Sequence, residues 1–541
     1  WGMQQSFGTG AATNSIEDLK QTDAIFLFGA NPIKGHPVTG AKIKQAFMKG
    51  VTSIVVDPVK TKLADLATHF LQIRPGTNVA ILNMLAHYII MDDLVDNNFI
   101  KSHTEKYEEF KSHVENLNMD ELSELTGVDK DLVRKAAHGY ASAEKAMEFH
   151  GLGVTEHFQG SKTVMLLSNL AMMTGNIGRN GVGLNPLRGQ NNVQGAADMG
   201  VQPHQGAGYL DVTKLDIQQY YADKYGIEKM PTTNGLKIPE MLDAAIAGKI
   251  KALYIMGEDT IMTDPNTNHS IKAFENVDLI VVQELFMTAT TEMADVVLPA
   301  SSYFEKNGTF TNGERRVQRV NKVIEPIGNT KPDGQIIIDI MSRLGYDQPT
   351  GLTYDAEKVI EEIADVIPFM KGLSWDRLGE NGLQWPIKED GTDTKMLHIG
   401  GEFKKGIGTF HHFDFEESPE IVSHGKKFPF ILTTGRELEH YNSGTMTRRT
   451  DNQKILAKDV LEVNPKDAIK KGIEDNETVR IFSDRGSVHI PIKYSKNVKR
   501  GVLRTTFHQP EVFINIITGS VGDKETMTPE YKVVAVDFER I

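Results

Sequence analysis

Arg188 is the residue whose chemistry stands out first in this sequence. It lies in a stretch rich in Gly, Asn and Gln, from Asn185 to Gln194, and no acidic residue is close to it in sequence. A lone arginine is usually a surface or ion-pair residue, but this one needs an anion from elsewhere. Because a planar guanidinium binds a carboxylate through two parallel hydrogen bonds, the pattern favours a site for a small carboxylate.

A glycine turn and a carboxylate mark a first candidate nucleotide site. Gly29-Ala-Asn-Pro follows a predicted strand, and Asp57 ends the next one. At the carboxyl ends of parallel strands, backbone N–H groups meet phosphates, and a carboxylate accepts hydrogen bonds from a ribose or a guanine edge. The Gly-x-Gly-x-x-Gly fingerprint is absent, so a purely structural α/β layer is an equal alternative.

A similar arrangement recurs much later in the chain. Gly257-Glu-Asp follows another predicted strand, and Gln283 and Glu284 end the next. Two such units predict either two nucleotide-like sites, or one such site and a second unit that repeats the fold without binding a nucleotide.

A basic loop in the last third of the chain also suits phosphate. Arg436, Arg448 and Arg449 surround the sequence His440-Tyr-Asn-Ser-Gly-Thr-Met-Thr, and a solvated surface explains them equally well. Three further histidines lie in turns bounded by glycine, namely His36, His157 and His204. They can line a pocket there, although histidines with a purely structural role are commoner.

Two βαβ units are predicted to position these groups. In the first, Asp23 to Gly29 is an apolar run typical of a buried parallel strand, Pro37 to Gly50 is a helix, and a strand follows from Thr52. In the second, strands are predicted at 250–256, 278–282 and 294–299, with a helix at 269–276.

Outside the two βαβ units, the sequence predicts first a helical segment, then an irregular one and finally an all-β domain. Helices are expected at 79–91, 120–126 and 129–141, the last two each opened by an Asp at the N-cap. Residues 345–425 are expected to be irregular. From 426 to 541 alternating patterns predict a β-barrel-like domain, with a hairpin whose turn places Gly486 in the left-handed region.

Composition excludes several classes of function. The 541 residues contain no Cys, which excludes disulfides, Cys-ligated zinc, iron–sulfur clusters and thiolate catalysis within them. The net charge of −13 argues against a nucleic-acid partner. No apolar run reaches membrane-spanning length and residues 1–6 lack a secretory pattern, so we expect a cytoplasmic protein that does not span a membrane. The first residue is Trp, and we expect that the natural start is missing.

A series of motifs, in order along the whole chain, resembles the molybdopterin oxidoreductase superfamily and, within it, the formate dehydrogenase catalytic subunits. The motifs are Gly8-Thr-Gly-Ala-Ala-Thr-Asn-Ser, Gly29-Ala-Asn-Pro, Val56-Asp-Pro, Arg74-Pro-Gly-Thr-Asn, Thr174-Gly-Asn-Ile-Gly, Asn185-Pro-Leu-Arg-Gly-Gln-Asn-Asn-Val-Gln-Gly, Tyr254-Ile-Met-Gly-Glu, Ala294-Asp-Val-Val-Leu-Pro, Thr309-Phe-Thr-Asn-Gly-Glu-Arg-Arg, Leu432-Thr-Thr-Gly-Arg, Gly444-Thr-Met-Thr-Arg and Pro529-Glu-Tyr-Lys. The Asn185 motif is the one that favours formate dehydrogenase.

The resemblance implies two molybdopterin guanine dinucleotides whose sulfurs hold Mo or W, so that a chain without Cys can carry a redox metal. One dinucleotide would be served by Asn31, Asp57, Gly76 and Asn78. The other would be served by Gly257, Glu258, Gln283 and Asp295. The C-terminal domain would close over both with Gly435, Arg436, His440, Met446, His508, Asn515 and Lys532. Arg188 matches the position that orients formate, with Gln190 beside it.

The implied architecture is α/β, with two dinucleotide-binding-like domains that contain parallel sheets and a C-terminal β-barrel. The domains are expected at 1–190, at 191–425 including an irregular linker, and at 426–541. The implied function is oxidation of formate to CO2, or the reverse, with electrons passing to another subunit or a redox carrier. A non-catalytic pterin-binding scaffold and another molybdopterin-dependent reductase are the alternatives.

The sequence departs from the family pattern in four places. The family's Cys or selenocysteine ligand with its adjacent His, and its Cys-bound 4Fe-4S domain, belong upstream of Trp1, so the 541 residues alone are expected to be inactive. Ala197 stands where Cys is common and Asn78 where Asp is common, and both are expected to be tolerated.

Overall fold

The computed structural model describes residues 1–228, 230–346 and 351–541 and divides the chain into two compact units. The first unit comprises Trp1–Gly189, Thr263–Asn268 and Met396–Ile541, and the second comprises Gln190–Met262 and His269–Lys395. The predicted division into three domains stays a prediction. None of the helices in the described ranges has the length and apolar character needed to cross a membrane.

Helices occupy much of the first half of the chain and recur as shorter segments later. In chain order they are α1 (Gly2–Phe7), α2 (Pro32–Gly35), α3 (Pro37–Met48), α4 (Asn78–Met91), α5 (Asn97–His103), α6 (Tyr107–Glu115), α7 (Met119–Thr126), α8 (Lys130–Ala141), α9 (Leu152–Thr155), α10 (Gly160–Met173), α11 (Val193–Asp198), α12 (Leu215–Tyr225), α13 (Ile238–Ile246), α14 (Thr260–Thr263), α15 (Thr267–Glu275), α16 (Ala289–Glu292), α17 (Asp333–Arg343), α18 (Ala356–Val366), α19 (Trp375–Leu378), α20 (Pro419–His424), α21 (Asn452–Ile455) and α22 (Pro465–Lys470).

Strands are short and alternate with helices until the last part of the chain, where they follow one another. They are β1 (Ala24–Phe28), β2 (Thr52–Val56), β3 (His69–Leu71), β4 (Thr104–Glu105), β5 (Ala146–His150), β6 (Gly183–Pro186), β7 (Gln205–Gly206), β8 (Leu210–Asp211), β9 (Ala252–Met256), β10 (Leu279–Glu284), β11 (Val296–Pro299), β12 (Gly308–Thr311), β13 (Arg316–Val320), β14 (Leu383–Gln384), β15 (Gly408–Thr409), β16 (Phe430–Thr434), β17 (Leu461–Val463), β18 (Thr478–Phe482), β19 (Ser487–Tyr494), β20 (Val502–Thr505) and β21 (Val534–Arg540).

The first unit contains a five-stranded parallel sheet in the order β3-β2-β1-β5-β6. Alternate residues of β1 enter two cores: Phe26 and Phe28 pack with α4 and α10, while Ile25 and Leu27 pack with α3. Because both faces of the sheet are buried, the sequences of these strands are continuous runs of apolar residues. All five parallel strands end at one edge.

The same unit contains a closed barrel of the strands β16-β20-β17-β19-β18-β21. Its interior is filled by aliphatic side chains such as Leu432, Leu461, Ile490 and Val534. The second unit contains a three-stranded parallel sheet in the order β11-β10-β9 and a three-stranded antiparallel sheet in the order β12-β13-β14. The predicted fold class, two parallel α/β sheets and a C-terminal barrel, is confirmed.

Three local expectations were wrong. Residues 356–366, predicted to be irregular, form α18, because Asp355 caps the N–H groups of Glu357 and Lys358 and an apolar face begins at Ala356 and Ile360. The N-cap of α7 is Asn118 and not Asp120, since Asn118 Oδ1 accepts from the amides of Asp120 and Glu121.

Gly486 is the third case. Its backbone lies outside the left-handed region, and its lack of a side chain has a packing reason instead. A Cβ there would approach Ile516 Cγ2 to 2.4 Å.

Candidate functional site

A cleft lies at the carboxyl edge of the five-stranded sheet and has an empty volume of about 990 Å³, counting the open solvent at its mouth. Its floor is formed by the segments that follow the strands: Gly29–Asn31 after β1, Asp57–Val59 after β2, Gly151–Gly153 after β5 and Leu187 with Gly189 after β6. Its other wall comes from the barrel, through Thr433–Arg436, Arg504 and Lys532. Both walls belong to the first unit.

Two glycine turns meet at the floor of the cleft. Gly29 has φ +55°, and a Cβ on it would lie 2.5 Å from the carbonyl carbon of Gly153. The Gly153 amide donates to the Gly29 carbonyl at 2.9 Å. Only glycine allows these turns to approach so closely, and as a result the main chain itself lines the floor of the cleft.

Asp57 is the one carboxylate among the lining residues. It is 9 % exposed, and its Oδ1 accepts from the Val59 amide at 2.8 Å. Burial raises the pKa of Asp57 to about 7, and the Val59 N–H, Arg504 and Lys532 oppose this shift. Near neutral pH this group therefore either donates or accepts a hydrogen bond.

Two amide side chains complete this side of the cleft. Asn31 Oδ1 is buried without a hydrogen-bond partner. Asn78 Nδ2 donates to the Gly153 carbonyl at 3.0 Å and so supports the glycine turn. An unsatisfied buried acceptor costs about 1–3 kcal/mol, so Asn31 is suited to an N–H or O–H group of a ligand.

The barrel wall carries three basic side chains, Arg436, Arg504 and Lys532, and the last two are paired with carboxylates. Lys532 Nζ bonds to Glu156 Oε2 at 2.7 Å and to the Thr434 carbonyl at 3.1 Å. Arg504 Nη2 bonds to Glu437 Oε1 at 2.9 Å, and Lys34 bonds to the other Glu437 oxygen at 2.6 Å. These carboxylates hold the cations in place from outside the cleft lining. The cleft can therefore bind an anionic group beside a polar heterocycle.

Arg188 leaves the same sheet two residues beyond β6. Its carbonyl oxygen lies 2.6 Å from His36 Nε2, and its Nη2 donates to the Gly10 carbonyl at 2.9 Å. Burial lowers the pKa of His36, and the nearby Arg436 adds to this. A neutral His36 can donate to the Arg188 carbonyl and so fixes the main chain from which the guanidinium projects.

The other predicted residues of the first unit are more dispersed. Gly76 follows Pro75, a cleft residue, and has φ +91°. A Cβ on Gly435 would lie 2.9 Å from the Arg504 guanidinium. Asn515 donates to the Thr263 carbonyl at 3.0 Å, and Met446 is 38 % exposed.

His440 and His508 form a separate buried pair with ring centroids 5.4 Å apart. His508 Nδ1 lies 3.4 Å from Asp459, whose pKa is lowered by the His508 and Thr506 side chains against the effect of burial. Neither histidine lines the cleft, and neither do Met446 and Asn515.

In the second unit two of the predicted residues, Gln283 and Asp295, are engaged in local structure. Gln283 is buried, accepts from Tyr254 and donates to Asp333 at 2.7 Å. Asp295 Oδ2 accepts from the Ile280 amide at 2.7 Å. Gly257 has φ +65°, and a Cβ on it would meet no other atom within 4 Å. The pKa of Glu258 is raised, mainly by burial and in addition by the nearby charge of Asp259. Gln190 is exposed.

The cleft also contains residues that sequence patterns did not single out as ligands. Arg504 lies on the barrel strand β20, and a single arginine among apolar residues carries no functional signal in the sequence. Within the described ranges, no group of three or more His, Cys, Asp or Glu side chains is arranged to hold a metal ion.

Comparison with known families gives two matches. The family described as Molybdopterin oxidoreductase matches residues 3–343, and the one described as Molydopterin dinucleotide binding domain matches residues 430–535. The second match contains the barrel side of the cleft.

Individual relatives match along the whole chain. The F420-dependent formate dehydrogenase subunit alpha of Methanocaldococcus jannaschii is 41 % identical over 544 residues, which cover 100 % of this chain and 80 % of that protein. Formate dehydrogenase H of Escherichia coli is 35 % identical over 545 residues, which cover 100 % of this chain and 76 % of that protein.

A solved structure agrees in fold. Acetylene hydratase from Pelobacter acetylenicus superimposes with a TM-score of 0.76 at 19 % identity, over 100 % of this chain and 80 % of that one. The family match over more than half of the sequence, together with these relatives, shows that this chain belongs to the molybdopterin oxidoreductase family and that it is similar to formate dehydrogenase alpha subunits.

Proposed function

We propose that this chain is the catalytic subunit of a formate dehydrogenase, which oxidises formate to CO2 or catalyses the reverse reaction. The names of the relatives support the choice of substrate. The observation that carries the proposal is the placement of Arg188 at the carboxyl edge of the five-stranded sheet, in the unit that contains the cleft.

Formate has a single recognition element, its carboxylate. The hydrogen bond from Arg188 Nη2 to the Gly10 carbonyl holds one nitrogen of the guanidinium, and the contact of the Arg188 carbonyl with His36 holds the main chain beside it. At an effective dielectric of 20, a contact of 4 Å between unit charges contributes about 4 kcal/mol before desolvation, which is enough to orient so small a substrate. Gln190 is proposed to assist as a neutral hydrogen-bonding group.

The proposed cofactor is a pair of molybdopterin guanine dinucleotides with Mo or W. The cleft of the first unit fits such a group, because it combines the unsatisfied acceptor of Asn31, the carboxyl of Asp57 and the basic side chains of the barrel wall. The residues proposed to hold the first dinucleotide are Asn31, Asp57, Gly76, Asn78, Gly435, Arg436 and Lys532. Gly257, Glu258, Gln283 and Asp295 are proposed for the second.

His440, Met446, His508 and Asn515 are proposed as further cofactor contacts. When bound, the metal group would supply the two-electron acceptor that the conversion of formate to CO2 and a proton requires. The electrons are proposed to pass on to an electron-transfer subunit or a redox carrier, and the chain to act in the cytoplasm.

The test is substitution of Arg188 in the cofactor-loaded enzyme. Arg188→Lys should raise KM for formate about tenfold or more, because lysine cannot form the two parallel hydrogen bonds. Arg188→Ala should lower kcat/KM by about 10³, the equivalent of the ~4 kcal/mol contact. Steady-state kinetics give both values, and metal and GMP content should stay normal.

A matched control is Arg480→Ala, since Arg480 lies on the barrel strand β18 and pairs with Glu539 at the surface. It should leave the kinetics unchanged. Normal formate kinetics in Arg188→Ala would remove Arg188 from the site and with it the main support for the proposal.

A further inference from the structure

Five Asn-Gly pairs occur in this chain, and the fold holds them in different ways. An asparagine can lose its side-chain amide when the main-chain nitrogen of the next residue attacks the side-chain carbon. A following glycine favours this reaction, because it has no side chain to hinder the approach and its backbone is the least restricted. The pairs begin at Asn180, Asn234, Asn307, Asn312 and Asn381.

In two of the pairs, the amide of the glycine is occupied. The Gly235 amide, after Asn234, donates to the Pro203 carbonyl at 2.6 Å. The Gly382 amide, after Asn381, donates to the Leu378 carbonyl at 2.8 Å. These hydrogen bonds must break before either nitrogen can attack, so the fold slows the reaction at both pairs.

In two other pairs, the side chain of the asparagine is occupied. Asn307 Oδ1 accepts from the Lys322 amide at 2.9 Å. Asn312 Oδ1 accepts from the amides of Glu314 and Arg316 at 3.1 and 3.0 Å. Because the oxygen is bonded, the side-chain carbon cannot turn toward the glycine nitrogen without losing these contacts.

The pair at Asn180 is held by neither kind of contact. Asn180 is exposed and lies in the segment between α10 and β6. Within the described ranges, the Asn180 side chain and the Gly181 amide make no hydrogen bond with the rest of the fold. Gly181 has φ +81°, and a Cβ on it would lie 2.9 Å from the Gln21 carbonyl oxygen. The fold therefore requires glycine after this asparagine.

We propose that Asn180 is a site of spontaneous deamidation in the folded protein. The Gly181 nitrogen forms a bond to Asn180 Cγ, the Cγ–Nδ2 bond breaks, and Nδ2 leaves as ammonia with the proton of the Gly181 amide. Water then opens the cyclic imide. Hydrolysis at Cγ gives aspartate, and hydrolysis at the main-chain carbonyl carbon gives isoaspartate. Water is the only co-reactant, and no atom is oxidised or reduced.

The modification changes the segment that leads into β6. Either product adds one negative charge beside Arg179, whose guanidinium bonds to the Gly175 carbonyl at 3.1 Å and to Asn176 Oδ1 at 3.2 Å. Isoaspartate in addition lengthens the main chain by one methylene group. The inference does not depend on the proposed function.

The experiment incubates the full, folded 541-residue chain at mildly alkaline pH and follows all five pairs by peptide mass spectrometry. Loss of the amide is measured from the mass increase when NH2 is replaced by OH. Asn180 should react about 3–10-fold faster than each of the other four, since those first have to break a hydrogen bond.

An internal control lies in the same tryptic peptide, which runs from Asn180 to Arg188. Asn185 is followed by Pro186, whose nitrogen carries no proton, so it cannot form the imide by this route and should keep its amide. Asn180→Gln should abolish the modification at position 180, because its longer side chain disfavours ring closure. The melting temperature should match the parent, since the Asn180 side chain is exposed.

The same measurement on the chain unfolded in urea separates the effect of the fold from that of the sequence. All five pairs should then react at similar rates, because the protecting hydrogen bonds are gone. The inference is overturned if another pair reacts as fast as Asn180 in the folded chain. It is also overturned if Asn180 leads by the same factor in urea, since the fold would then select nothing.

Discussion

The two parallel sheets of this chain follow the same plan and differ in what surrounds their strands. In the first sheet, all residues of β1 and β5 are buried. In the second, β9 alternates between exposed and half-buried residues, and Tyr254 and Met256 are 47 % and 50 % exposed. The first sheet is covered on both faces, whereas one face of the second carries exposed apolar side chains.

The polar residues at the strand ends differ as well. At the first sheet, Asn31 Oδ1 has no hydrogen-bond partner and Asp57 retains a raised pKa. At the second, Gln283 and Asp295 are bound to their neighbours in the fold. A glycine turn followed by an acidic or amide residue therefore does not by itself distinguish a ligand group from a structural one. A buried acceptor that the fold leaves without a partner, such as Asn31 Oδ1, does distinguish them.

The largest expected effect tests the difference in burial. Leu27 in β1 is fully buried, and Leu279 in β10 is 40 % exposed. Leu27→Ala should lower the free energy of unfolding by about 2–5 kcal/mol, because it leaves a cavity between packed layers. Leu279→Ala should cost less than about 1 kcal/mol. Chemical denaturation of both variants measures this, and equal losses would contradict the comparison.

A second prediction concerns pH and the carboxyls of the two sheets. Burial raises the pKa of Glu148, in β5, to about 8, while Tyr140 donates a hydrogen bond to it and lowers the pKa in part. The folded state keeps this proton, whereas the unfolded state releases it near pH 4.5. The protonated Glu148 therefore makes its full contribution to the free energy of unfolding below pH 4.5. It is lost as pH rises toward 8.

Glu148→Gln should remove this dependence. The stability of the variant relative to the parent should rise by about 2 kcal/mol between pH 5.5 and 7, at up to ~1.4 kcal/mol per pH unit. Glu284→Gln, at the half-buried end of β10, should change the dependence of the free energy of unfolding on pH much less. Thermal unfolding across this pH range measures both variants. A difference in stability between Glu148→Gln and the parent that does not change with pH would contradict the raised pKa of Glu148.

The smallest effects should separate binding from stability at the strand ends. Asp57→Asn should weaken GMP binding about tenfold, or ~1.4 kcal/mol, with little loss of stability, since an amide oxygen can still accept from Val59. Asp295→Ala should lower stability by about 1 kcal/mol, because the Ile280 amide loses its acceptor. Titration and denaturation of both variants test this, and a reversal of the two effects would overturn the distinction.

Much of the first sheet could be predicted from the sequence. The strand at 23–29, the helix at 37–50 and the strand from 52 match β1, α3 and β2 closely, because apolar runs bounded by Gly and Pro leave few alternatives. The misplaced cap at Asn118 and the missed helix α18 show the limit of this reasoning. Neighbouring short polar residues compete for the N-cap position, and an amphipathic helix of 11 residues between irregular segments is easily mistaken for a loop.

The candidate site was predicted in part. Asn31, Asp57, Asn78, Arg436 and Lys532 line one cleft, as a shared role requires. The approach of Glu530 to His157, with 3.8 Å between Oε1 and Nδ1, could not be predicted, because the two residues lie far apart in sequence and no local pattern links them. Long-range pairs of this kind are set by how the barrel packs on the sheet.

The composition of the cleft has a consequence for the order of events during protein synthesis. Its floor is encoded early, around Gly29 and Asp57, and its cationic wall late, around Arg504 and Lys532. Ribosomes add about 5–20 residues per second, so tens of seconds separate the two. A nascent chain therefore exposes half a binding site without its cations. We expect capture of an anionic nucleotide to follow translation, so that the ligand stabilises only the finished polypeptide.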